Sequence, residues 1–169
     1  MTFEEFAVVR LPALLRFAVM LTGDRELAQD VVQDVMIRAH RRWRRICRAD
    51  RPDLYVKRMI TNEFISTRRR RAPRTVPLDA DPDASGAPVH PDHADDATRS
   101  DELWLHLADL PRQKRAVLVL RYYEGLSDTE IADVLGCSHG TVRGYASRAL
   151  ATLRLELVDP STVTGGEST

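Results

Sequence analysis

The chain has 169 residues, with 25 Lys and Arg balanced by 25 Asp and Glu, so any electrostatic preference must be local. That length admits one domain or two small ones. Neither a secretory signal nor an apolar run long enough to span a bilayer is found, and Cys47 and Cys137 lack CxxC or histidine-partner spacing, so cytosolic thiols are expected and a disulfide or zinc framework is not.

Residues 3–21 form one helical pattern, with Phe6, Leu14, Phe17, Ala18 and Leu21 as candidates for its buried side. Thr22-Gly23-Asp24 breaks the pattern: Gly23 suits a helix end and Asp24 can cap the next helix. That helix runs to about Trp43, with Leu27, Val31, Val35 and Ala39 repeating every fourth residue. Another face carries Glu26, Asp30, Gln33 and Asp34 at i, i+3 and i+4 spacings. Such a patch reads as a solvated surface, a docking face, or a carboxylate pair for acid–base or divalent-metal chemistry. No His or Cys joins it at ligand spacing, which weighs against the last.

Residues 38–74 hold 13 Arg and one Lys against Asp50, Asp53 and Glu63, a local excess of +11. A block of this kind is an electrostatic footprint for nucleic acid, because each neutralised phosphate releases counterions. A basic amphipathic membrane segment is the competitor. The mixture of Tyr55, Met59, Asn62 and Phe64 favours a surface that holds unpaired bases. Pro52 is placed to open a helix through Tyr55, Val56, Met59, Ile60 and Phe64 to Arg68, Arg69, Arg70 and Arg71, whose four cations suit phosphates better than base edges.

Residues 73–98, with Pro73, Pro77, Pro82, Pro88 and Pro91 and repeated Asp, make a linker that cannot bury a core. The acids Asp79, Asp81, Asp83, Asp92, Asp95 and Asp96 fit a spacer kept soluble by charge, and His90 and His93 lack further metal ligands. Beyond it, Leu110-Pro111 opens a helix carrying Val117 and Leu120 that Gly125 can end. Ser127 caps the next helix, whose apolar face is Ile131, Ala132 and Leu135; Gly136 ends it, and Ser138 caps a second helix starting at His139. Val142, Ala146 and Leu150 face inward on that second helix. His139, Thr141, Arg143 and Tyr145 can hydrogen bond outward, as the recognition helix of a helix-turn-helix does in the major groove. An ordinary helical hairpin in a bundle is the alternative.

The ordered set Leu110-Pro111, Arg121-Tyr122-Tyr123-Glu124-Gly125-Leu126-Ser127, Glu130-Ile131-Ala132, Leu135-Gly136, Gly140-Thr141-Val142 and Arg148-Ala149 resembles the fourth conserved region of bacterial sigma factors, especially the extracytoplasmic-function group. Response regulators of the luminescence type share a similar hairpin. A second, independent likeness lies in Glu26 to Ala39, which resembles the second conserved region of the same group. The resemblance covers roughly residues 3–72 and 99–156 and implies an all-α chain of two small helical domains. These are a region 2 bundle over 3–72 and a region 4 helix-turn-helix over 99–156, joined by the flexible linker 73–98, with a flexible tail over 157–169 and no third region.

By that resemblance Asp30, Gln33 and Asp34 dock on a coiled coil of the largest subunit of RNA polymerase core. The loop at about Ile46–Pro52 and the helix bearing Tyr55, Arg58, Asn62, Ser66 and Arg68 to Arg71 open the −10 element, with Asn62 first among base contacts. Ser138, His139, Thr141, Arg143, Tyr145, Ser147 and Arg148 read the −35 element, and the second module meets the flap of the second-largest subunit. Expected partners are core polymerase and promoter DNA, with an anti-sigma factor as a third candidate; no membrane, cofactor, metal or catalytic residue is expected. Asp53-Leu54 departs from the common Trp-Leu, although Tyr and Asn in this arrangement are common in a sigma-E-like actinobacterial branch. Gly144-Tyr145 departs from a common Ser-Arg, so the −35 preference cannot be copied from a relative. The competing functions are a stand-alone helix-turn-helix regulator and, less favoured, a magnesium nuclease using Asp30 and Asp34.

Overall fold

The computed structural model describes residues 1–71, 107 and 109–158, with the side chains of 67–71 and 155–158 outside that description. The expected linker over 73–98 and most of the tail therefore lie outside the described residues. Helix α1 (Phe3–Thr22) starts with a reciprocal cap, in which Thr2 accepts from the Glu5 N–H while the Glu5 carboxylate accepts from the Thr2 N–H. Phe6, Leu14, Phe17, Ala18 and Leu21 are its buried residues, the set expected from periodicity. Gly23 ends it at φ 70, and Asp24 caps α2 (Arg25–Arg41) by accepting from Glu26 and Leu27.

Where the sequence predicts one helix to about Trp43, α2 stops at Arg41 and a single turn, α3 (Trp43–Ile46), follows. The break at Arg42 (φ −110, ψ 12) turns Trp43 inward, with its ring 4.8 Å from that of Phe6 and its Nε1 donating to the Met1 carbonyl at 3.2 Å. Burial of an indole with its N–H satisfied outweighs one helical hydrogen bond. Helix α4 (Pro52–Arg71) begins at the proline, as expected, and lays Val56, Ile60 and Phe64 on α1 and α2.

The second half contains α5 (Arg112–Leu118), α6 (Asp128–Leu135) and α7 (His139–Val158). Between α5 and α6, Val119–Tyr123 forms a π-helical turn, closed by Glu124 N–H to the Val119 carbonyl at 3.1 Å. This turn was not legible in the sequence. It keeps Val119 and Leu120 buried while Tyr122 is 62% exposed. Ser127 and Glu130 cap α6 reciprocally, Gly136 ends it at φ 65, and the Ser138 hydroxyl accepts from the Thr141 N–H at 3.1 Å to start α7.

The two helical modules pack on one another. A single buried cluster runs from Phe6, Phe17 and Ile60 to Val117, Leu120, Ile131 and Val142; a smaller one joins Leu107, Leu110 and Leu118 to Ala149 and Leu153. Arg115, only 4% exposed, crosses the junction and donates from Nε to the Met20 carbonyl at 3.1 Å, against the carbonyl-rich end of α1. A Cβ at Gly23 would stand 2.8 Å from Arg115 Nη2, whereas one at Gly125, also at positive φ, would meet nothing within 4 Å. Gly125→Ala should therefore lose about 1–2 kcal/mol for the left-handed backbone alone. Gly23→Ala should lose roughly 1–3 kcal/mol more from overpacking. Thermal melts of both variants measure the difference, and equal losses would show that Arg115 simply moves aside.

Candidate nucleic-acid interface

Three faces carry the residues singled out from the sequence. On α2, Val31, Val32 and Val35 are buried while Asp30, Gln33 and Asp34 are exposed, so the acidic and amide patch stands on solvent. Beside it lies an open groove of about 1010 Å³, lined by Val8, Leu11, Gln33, Met36 and Ile37 among others. Val8 is 80% and Ile37 48% exposed, an apolar flank that periodicity alone did not single out.

On α4, the buried Val56, Ile60 and Phe64 leave Arg58 and Asn62 exposed one turn apart, with Tyr55 half-buried beside them. Asn62 is thus no buried amide bracing the bundle. Ser66 is half-buried and donates to the Glu63 carbonyl at 3.1 Å. The backbone of Arg68 to Arg71 continues the helix, and their side chains lie outside the described residues.

On the hairpin, Ile131, Ala132, Val134, Val142 and Ala146 form the inner side, with Leu135 and Leu150 only half-buried. His139, Arg143, Ser147 and Arg148 are exposed along α7. Ser138 and Thr141 share a hydroxyl contact of 2.9 Å, so both serve the cap. Tyr145 is half-buried and donates its phenol to Gln113 Oε1 at 2.8 Å, a partner the sequence did not reveal because it comes from α5.

The basic block is partly consumed inside the molecule. Arg38 meets Glu63 at 2.6 Å and ties α2 to α4. Lys57 meets Glu124 at 2.5 Å with both side chains largely buried, and Arg51 meets the exposed Glu130 at 3.0 Å; both pairs cross between modules. Arg112 Nη1 donates to the Phe64 carbonyl at 2.5 Å, with its guanidinium 4.8 Å from that residue's ring centroid. The Ser127 N–H and hydroxyl hold the Glu130 carboxyl below its ordinary range, with Arg51 adding to the effect. Burial pulls the Arg115 guanidinium down to about 10, against the opposing effect of Asp109, so it remains charged at neutral pH. Burial pushes the Cys137 thiol up, as befits a residue filling the hairpin turn. Among the described residues no group of three or more His, Cys, Asp or Glu could hold a metal, and no helix is long and apolar enough to cross a membrane.

Residues 8–74 match the family described as Sigma-70 region 2, and residues 100–153 match Sigma-70, region 4. The chain is 39% identical over 155 residues to an RNA polymerase sigma-E factor of Streptomyces avermitilis, covering 92% of this chain and 84% of that protein. It is 33% identical over 156 residues to the ECF RNA polymerase sigma factor SigL of Mycobacterium tuberculosis, covering 92% of this chain and 86% of the relative. Among solved structures it shares its fold with the sigma factor RpoE of Bartonella quintana, solved with the anti-sigma factor NepR, at TM-score 0.71 and 24% identity. That likeness covers 94% of this chain and 98% of RpoE.

Proposed function

The chain belongs to the sigma-70 family of RNA polymerase factors, in its extracytoplasmic-function group, and from that premise we propose a residue-level account of how it brings core polymerase to a promoter and opens it. Asp30, Gln33 and Asp34 dock on core, and the apolar groove of Val8, Met36 and Ile37 extends that contact. Arg58 and Asn62, with Tyr55 beside them, hold bases unpaired from the −10 element, while Ser66 and Arg68 to Arg71 lie further along the same helix toward the phosphates. His139, Arg143, Ser147 and Arg148 meet the −35 duplex, with Ser138 and Thr141 fixing the start of the helix and Tyr145 standing beside Arg148. One observation carries this reading: Asp30, Gln33 and Asp34 on α2, Arg58 and Asn62 on α4, and His139, Arg143, Ser147 and Arg148 on α7 are exposed on helices whose opposite sides are buried core. The work is binding rather than bond-making, and we place it in the cytoplasm with polymerase. An anti-sigma factor completes the proposed partners. Reconstitution with core polymerase and genome-wide mapping of run-off transcripts tests the account; transcripts no different from core alone would defeat it.

The packed modules set a condition on promoter binding. Elements at −10 and −35 lie roughly 25 base pairs apart, about 85 Å at about 3.4 Å per pair. Arg51, at the start of the −10 helix, meets Glu130 of the hairpin at 3.0 Å. Both elements cannot be held in this arrangement, so engaging a promoter shifts the chain toward separated modules. The linker over 73–98 can reach up to about 90 Å at full extension, enough to allow the separation.

Asn62→Ala provides the test of strand capture. An amide both donates to and accepts from a base edge, and a methyl group does neither. Core binding and −35 binding should be unchanged, while opening of a duplex promoter falls by about tenfold, in line with roughly 1–3 kcal/mol for a good base contact. A promoter already unpaired across −10 should recover much, though not all, of the loss, because unstacking is already done. Permanganate footprinting reads both templates. Normal duplex opening by the variant would remove Asn62 from the site.

A further inference from the structure

In α7 a single guanidinium is cradled by two neighbouring residues. Arg148 Cζ stands 5.6 Å from the centroid of the Tyr145 ring, within the range at which an aromatic face attracts a cation. A Cβ at Gly144 would meet Arg148 Nη2 at 3.5 Å, Cζ at 3.8 Å and Nη1 at 3.9 Å. The guanidinium therefore lies along the bare backbone of Gly144 and beside the ring of Tyr145. That ring is itself fixed: it packs on the buried core, and its hydroxyl donates to Gln113 Oε1 of α5 at 2.8 Å. Arg148 remains exposed.

An exposed arginine loses much rotamer freedom on reaching DNA, and a side chain already held in place loses less. We propose that Gly144, Tyr145 and Gln113 form a seat that presents Arg148 to promoter duplex. Tyr145 is then a positioning residue, acting on DNA through Arg148 rather than reading a base itself. This deepens the proposed role of α7 as recognition helix and rests on it.

The test uses holoenzyme, reconstituted from core polymerase and the full chain, selecting from a randomised duplex library. Arg148→Ala should lower the preference at one or two base pairs by about tenfold. Tyr145→Leu should lower it at the same base pairs by roughly two- to fivefold, the range for an exposed cation–aromatic contact. The double variant should be no worse than Arg148→Ala alone, because the second change removes a support with nothing left to hold. Tyr145→Phe, which keeps the ring, should stay within about twofold of the unaltered protein. Thermal melts establish that each variant is folded. The proposal is overturned if Tyr145→Leu alters other base pairs, if its loss adds to that of Arg148→Ala, or if Tyr145→Phe falls as far as Tyr145→Leu. Should Arg148→Ala change nothing while Arg143→Ala shifts the selected sequence, the seat is rejected and the recognition helix stands. If neither changes the selection, the role of α7 itself is rejected.

Discussion

Lys57→Glu will open the packed pair of modules, and adding Glu124→Lys to the same chain will close it again. The two side chains meet at 2.5 Å and are 15% and 13% exposed, so neither charge has ready access to water. Removing one member of a largely buried pair leaves the other uncompensated, a cost of about 3 kcal/mol or more. Here reversal also sets two carboxylates against each other across the junction. The swapped pair restores opposite charges at the same place, so its loss should be well below that of either single reversal. Small-angle scattering should give a larger radius of gyration for each single variant than for the double, alongside a lower melting temperature. Unchanged scattering in Lys57→Glu would mean that the shared apolar core and Arg115 hold the modules together without this pair. An opened variant should also bind a two-element promoter more readily, since the closed arrangement must be given up before both elements are held.

Asp34→Lys should weaken the association with core polymerase by about tenfold or more while leaving the free protein's melt unchanged. Asp34 is exposed, and the side chains beneath it are apolar and buried, so the substitution removes no internal support of the fold. The Asp34 carbonyl accepts from Arg38 Nε at 3.3 Å, a backbone contact that the new side chain does not take away. Reversing a charge in a complementary interface costs more than truncating it, because a repulsion replaces an attraction. Fluorescence titration of labelled chain with core reads the affinity. Retained affinity would move the docking face elsewhere, the apolar groove along Val8 and Ile37 being the next surface to alter.

Most of the helices, their caps and the apolar faces behind the candidate sites were legible because they depend on short-range chemistry. The buried set of α1, the αL ends at Gly23 and Gly136, the proline start of α4 and the Ser127 cap each depend on residues within a turn or two of one another. Asp30, Gln33 and Asp34, or Arg58 and Asn62, come to one exposed face for the same reason: helical spacing alone orders them.

Long-range packing decided the rest. Trp43 left its expected helix because Phe6, far away in sequence, offered its ring a buried neighbour. The π-helical turn arises where Val119 and Leu120 must stay in the core while the chain turns toward Gly125, and no local residue preference announces it. Charge was misleading in one respect. The excess of +11 over residues 38–74 reads from sequence as a nucleic-acid surface throughout, yet Arg38, Arg51 and Lys57 face carboxylates of the protein itself. Sequence by itself determined most of the helices, the main apolar faces behind the candidate sites and the family. Only the tertiary structure decided which cations meet solvent, that Tyr145 bonds Gln113 while lying beside Arg148, and that the two modules share a core. The physical reason is range: caps and periodicity act within a turn or two, whereas burial and ion pairing depend on whatever the fold brings within a few ångströms.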